Sequence, residues 1–155
     1  MPLPFLLIVP VVTTIGTAVT ATVATLVAKD KYAAYSEEKK VAIQFEISLA
    51  FAKVGFAVAK SDGEMSKEEL DKVYETLACL DFSLKESQKK EIVDLLDNPP
   101  SIIEAFKDAK EINKKYEIPF EDFEKMIDEI IEADGEIKSR EIEIKNNWNE
   151  LKKNL

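Results

Sequence analysis

The sequence predicts an all-α protein: a compact bundle of about six helices with an internal pseudo-repeat, behind an N-terminal hydrophobic transmembrane helix. Three observations predict it. From Glu37 onward apolar residues recur mostly every third or fourth position, the spacing that lines one face of a helix, while strand-like alternation is confined to short pieces. Residues 1–28 carry no charged side chain. The segment Asp62-Gly63-Glu64 returns seventy-two positions later as Asp134-Gly135-Glu136, in the same phase with its flanking apolar residues. The organisation that follows is a membrane anchor (1–28), a juxtamembrane linker (29–36) and one helical domain (37–155).

The first segment, PLPFLLIVPVVTTIGTAVTATVATLVA, would reach roughly 40 Å as a helix, against a bilayer core of about 30 Å. Pro10 ends or kinks that helix, and residues 11–28 still cover nearly a full span. A cleaved signal peptide fits less well, because no basic residue precedes the run and the run exceeds the usual apolar core of such peptides. An apolar arm buried in a soluble assembly is the other alternative, supported by the threonines at 13, 14, 17, 20, 22 and 25. Small residues recur every fourth position (Gly16, Thr20, Ala24; Thr17, Ala21, Thr25), which lets helices approach closely and allows a homo-oligomer through this segment. Lys29, Lys31, Lys39 and Lys40 follow the span, so the N-terminus is expected outside and the C-terminal domain in the cytoplasm.

The first helix of the domain runs from Glu37 to the Ser61-Asp62-Gly63 break and carries Val41, Phe45, Ile47, Leu49, Phe51, Val54 and Val58. A second starts near Ser66 and buries Leu70, Val73, Leu77 and Leu80, ending at a turn around Asp81-Phe82-Ser83. A third covers about 84–96 with Ile92, Leu95 and Leu96, and Pro99-Pro100 stops it because proline cannot continue the hydrogen-bond ladder. Helices near 101–116, 120–133 and 138–154 complete the chain, punctuated by Pro119 and Asp134-Gly135. Phe120, Phe123 and Trp148 are expected to fill the core beside the second Asp-Gly loop. Lys107, Lys110, Lys114 and Lys115 read as a solvated helix face, since Asp108 and Glu111 interrupt them.

Composition excludes several function classes. With 155 residues the chain forms one domain, and its net charge of -9 lies wholly after residue 28, so nucleic acid is not an expected partner. Histidine is absent and Cys79 is the single cysteine, which removes Cys/His zinc sites, Ser-His or Cys-His catalysis and internal disulfides. Four glycines and no phosphate-cradling loop leave no nucleotide motif. The chain is not expected to be an enzyme; a hydrolase using paired carboxylates on a metal is the remote exception.

The repeat extends beyond the loop: Phe51 aligns with Phe123, Val58 with Ile130, Met65 with Ile137, Glu69 with Glu141 and Leu70 with Ile142. Each copy reads as helix, tight loop, helix. An EF-hand has glycine at position six, an apolar residue at eight and glutamate at twelve, and both copies satisfy those three. Positions one and three, however, are Val58 and Lys60 in the first copy, Ile130 and Glu132 in the second. The entering ligands are missing, so a true EF-hand is not expected. A purely structural account also exists: Ser66 and Glu69 form a capping box, and Glu141 stabilises a helix start through the dipole.

The segments AVAKSDGEMSKEELDKV and EIIEADGEIKSREIEI resemble the paired motifs of TerB-like domains, the all-helical family linked to tellurite resistance. The resemblance covers residues 37–155. It implies a cytoplasmic, often membrane-associated helical domain whose paired Asp and Glu residues bind a divalent cation, Ca or Mg, here Asp62, Glu64, Glu69, Asp134, Glu136 and Glu141. Membrane-anchored J-domain co-chaperones are similar in placing a span before such a domain, but this chain has no His-Pro-Asp signature. The expected function is a non-enzymatic, membrane-anchored sensor or adaptor in a stress response, of the tellurite-resistance, envelope or phage-defence kind, binding another protein through its helical surface. The alternative is a structural subunit of an oligomeric membrane assembly built through the N-terminal segment.

Overall fold

The computed structural model describes residues 35–61, 63, 65–80, 85–133, 135 and 139–155, with the side chains of 78–80 outside that description. The expected N-terminal span, the turn at 81–83 and the side chain of Cys79 therefore lie outside the described residues. Within them the chain is entirely helical: α1 (Glu37–Ala59), α2 (Lys67–Leu80), α3 (Glu86–Asp94), α4 (Ile102–Tyr116), α5 (Phe120–Glu132) and α6 (Ser139–Lys153).

The helix starts follow their capping chemistry. Ser36 Oγ accepts a hydrogen bond from Lys39 N at 3.3 Å to open α1. Ser101 opens α4 with a reciprocal box: its hydroxyl takes Glu104 N (3.3 Å) and the Glu104 carboxylate takes Ser101 N (3.2 Å). Such boxes satisfy amides that have no partner within the helix. The third helix is shorter at both ends than its apolar spacing suggests. The Gln88 side chain accepts from Lys85 N at 2.9 Å and fixes the start, while Leu95 and Leu96 close the end through three-residue turns. α4 ends on Glu117 in the left-handed conformation (φ 58), where Asn113 Nδ2 donates to Ile118 O at 2.8 Å.

α1 is the centre of the bundle and touches each of the other five helices. From Ile47 to Ala59 it is buried on nearly every side, with Phe51, Ala52, Val54, Phe56 and Val58 at zero exposure. Its 23 residues hold an 18-residue window of mean hydropathy 1.6, long and apolar enough to cross a membrane, yet 67% of that window is buried inside the protein. It is the core helix.

Contacts set the directions. Phe56 meets Tyr74 edge-on at 6.2 Å and Gly55 meets Val73, so the C-terminal part of α1 packs against the middle of α2. A Cβ on Gly55 would stand 3.1 Å from Val73 Cγ1, so the glycine permits that close crossing. Phe51 stacks on Phe123 at 4.1 Å, and Gly55 lies against Ile130, so α1 and α5 run in the same sense. α6 returns antiparallel to α5, with Lys145 paired to Asp128 and Lys152 to Glu124 at 3.0 Å. Both Asp-Gly loops therefore open at one end of the bundle. Trp148 is fully buried against Phe106 (4.9 Å), Phe123 (6.1 Å) and Phe120 (6.3 Å). These aromatics do fill the core, but Phe123 and Trp148 sit roughly two to three helical turns from the second loop, not beside it.

Candidate functional site

The two loops share their backbone design. In the first, Ser61 N donates to Val58 O (3.2 Å) and Gly63 N to Lys60 O (3.0 Å). In the second, Ala133 N donates to Ile130 O (3.2 Å) and Gly135 N to Glu132 O (3.1 Å). Each donor and acceptor maps onto its counterpart at the sequence offset of the repeat. Gly63 has φ +88 and Gly135 φ +76, and a Cβ at either would meet nothing within 4 Å. The requirement there is left-handed backbone, not space.

Beyond each loop the chain enters a helix whose first turn holds a buried acid. Glu69 is 0% exposed and Glu141 1% exposed. Acidic side chains are almost never so buried without compensating interactions, so the same burial at both equivalent positions marks a shared structural demand. Ser66 Oγ accepts from Glu69 N at 3.1 Å, which realises the hydroxyl half of the expected cap. Val58 and Ile130 are in the core, while Lys60 and Glu132 point to solvent. α1 and α5 thus run through the positions that would supply the first EF-hand ligands, and the loops are not EF-hands.

Of the six sequence-proposed ligands, Glu69 and Glu141 are described; Asp62, Glu64, Asp134 and Glu136 lie outside the described residues. Among the described residues no three or more Asp, Glu, Cys or His side chains converge as a metal centre would require. The donor types themselves suit a hard cation, because carboxylate oxygens are what Ca and Mg take.

No family model, curated protein or solved structure matches the chain.

Other polar features were less visible in the sequence. Lys107, Lys110, Lys114 and Lys115 are exposed, as a solvated face should be, but Lys115 also reaches across to Glu46 of α1 at 3.5 Å. Tyr116 OH donates to the same carboxylate at 2.9 Å, and Lys53 pairs with Asp108. These contacts make α1 and α4 antiparallel and leave a groove of about 230 Å³ between them. Its signal was present: Glu46, Leu49, Ala50 and Lys53 repeat with helical spacing, as do Asp108, Glu111, Ile112 and Lys115.

Proposed function

We propose that this chain is a membrane-anchored, non-enzymatic adaptor of the TerB-like kind, in which two equivalent loop-and-helix-start units respond to a divalent cation and the helical surface binds a protein partner. The observation that carries the reading is the duplication at one end of the bundle: matching loop hydrogen bonds, two left-handed glycines, and Glu69 and Glu141 buried alike. A capping role alone would leave a first-turn acid free to stay at the surface, where the dipole is satisfied equally well.

In this reading Asp62, Glu69, Asp134 and Glu141 hold the cation, with Glu64 and Glu136 outside them. The cation supplies charge neutralisation, so that carboxylates held at one end of an already acidic domain cease to repel. What the protein contributes is the placement: a glycine turn that returns the chain, and a helix start that aims each acid inward. The uncharged residues 1–28 supply the anchor, with the lysines after them on the cytoplasmic side. The proposed service is in a stress response.

The test is a thermal melt of the full chain in detergent with calcium or magnesium at about 10–100 mM, a hundredfold excess over the expected constant. Incomplete cages of this sort bind at about 10⁻⁴–10⁻³ M, and a hundredfold excess over such a constant stabilises a fold by about 2.7 kcal/mol. A rise in melting temperature that Asp62→Asn with Asp134→Asn abolishes supports the reading. An equal rise in wild type and double variant assigns the effect to ionic strength and makes the acids caps.

A further inference from the structure

We infer that the groove between α1 and α4 is a docking site for a single arginine side chain of a partner protein, with Glu111 as its charge partner. This names the partner chemistry for the adaptor and rests on that reading.

The groove is closed at both ends and open in the middle. At one end Glu46 is held by Lys115 (3.5 Å) and by the Tyr116 hydroxyl (2.9 Å); at the other, Lys53 and Asp108 are paired. Each pair ties α1 to α4, so neither end can spread without breaking an ion pair. Between them the floor is apolar, made by Leu49, Ala50 and Ile112. Glu111 stands on α4 within this middle section, is exposed, and forms no ion pair among the described residues. The lining thus carries three carboxylates against Lys115, and the one carboxylate left without a cation is central.

Size and chemistry select the occupant. A volume of about 230 Å³ falls below the roughly 300–1,000 Å³ of pockets that enclose drug-sized ligands, and suits one long side chain. Lysine and arginine lay their aliphatic stems on apolar surface while the charged head stays at a polar rim. The planar guanidinium donates two parallel hydrogen bonds to a carboxylate, and arginine is over-represented among the residues that dominate protein interfaces. Lys115 in the lining, and Lys107 and Lys114 one turn to either side of Glu111, are the groups that oppose an incoming cation.

The experiment is a titration of the isotope-labelled full chain in detergent with N-acetylarginine amide, reading Leu49 and Ile112 methyl shifts and the Glu111 amide by NMR. N-acetylcitrulline amide, neutral and nearly isosteric, is the control. Saturable shifts are expected at a dissociation constant on the order of millimolar, as befits so small a ligand. Glu111→Gln should weaken binding at least about fivefold, Lys114→Gln should tighten it, and Glu143→Gln, at an exposed position of α6, should leave it unchanged. Binding of citrulline as strongly as arginine, or equal losses with Glu111→Gln and Glu143→Gln, overturns the proposal and assigns the attraction to net charge. The adaptor reading has a separate readout: cross-linking in native membranes. A partner captured there whose yield is the same with Glu111→Gln leaves the adaptor standing and sinks the groove; no captured partner sinks the adaptor.

Discussion

Phe51 and Phe123 lie face to face in the core, ring centroids 4.1 Å apart and planes 14° from parallel, and they occupy equivalent positions in the two copies of the repeat. The contact joins the helices that lead into the two Asp-Gly loops. Because both side chains are at zero exposure, truncating either leaves a cavity that close-packed neighbours cannot fill. Phe51→Ala is expected to cost about 3–5 kcal/mol in denaturant unfolding. The double Phe51→Ala, Phe123→Ala variant should lose less than the sum, since the second truncation removes contacts already lost; strict additivity would show that the rings do not interact.

The glycines divide by cause. Gly55→Ala places a methyl 3.1 and 3.2 Å from the two Val73 methyls, in the interior of the α1–α2 crossing. A loss of about 1–3 kcal/mol is expected from that overpacking, and Val73→Ala in the same chain should recover part of it. Gly63→Ala and Gly135→Ala meet open space but force an alanine to positive φ. Each should cost about 1–2 kcal/mol, with no rescue from any neighbouring truncation. Unequal losses at these two positions would break the equivalence of the loops.

Alkaline pH tests the α1–α2 interface. Burial pushes the Tyr74 phenol from 10.0 up to about 12, because the ionised form cannot be solvated where the side chain sits against Phe56. Below pH 10 the phenol is neutral in both folded and unfolded chains and its contribution is complete. As pH rises from 10 toward about 12 the unfolded chain releases the proton first, and stability falls. Tyr74→Phe should flatten the loss in that window when unfolding free energies are compared with wild type. A variant that loses stability as steeply as wild type would place the alkaline transition on other groups.

Removing residues 1–28 is expected to leave a soluble, highly helical domain with one cooperative transition by circular dichroism. α1 already supplies a central apolar helix, with α2, α4 and α5 packed on it. Aggregation or a non-cooperative melt after the deletion would place that segment in the core instead.

The proposed orientation has its own readout in intact cells. With Cys79 replaced, a cysteine at Leu3 should react with an impermeant thiol reagent while one at Asn154 reacts only after lysis. The reverse pattern would overturn the inside-lysine argument.

The helices were legible from the chain itself because their causes are local. Apolar spacing of three and four, the Ser66 cap, and glycine at 63 and 135 act over one or two turns, and those distances are written in the sequence, while the caps at Ser36 and Ser101 came with the structure. The pseudo-repeat was legible for the same reason. What the sequence could not settle was burial, which depends on neighbours far along the chain. The apolar pattern of α1 includes Val41, Phe45 and Leu49, yet these are half-buried, while Gln44 and Ser48 lie inside, Gln44 Oε1 and Ser48 Oγ without a hydrogen-bond partner among the described residues. A helix packed on several sides has no single apolar face to announce which residues go in. By length and hydropathy α1 qualifies as a span, and only the packing of α2, α4 and α5 around it makes it a core helix. Glu69 and Glu141 could be placed at helix starts from their spacing, but their complete burial, and the antiparallel setting of α1 on α4 that creates the groove, came from tertiary contacts between residues tens of positions apart.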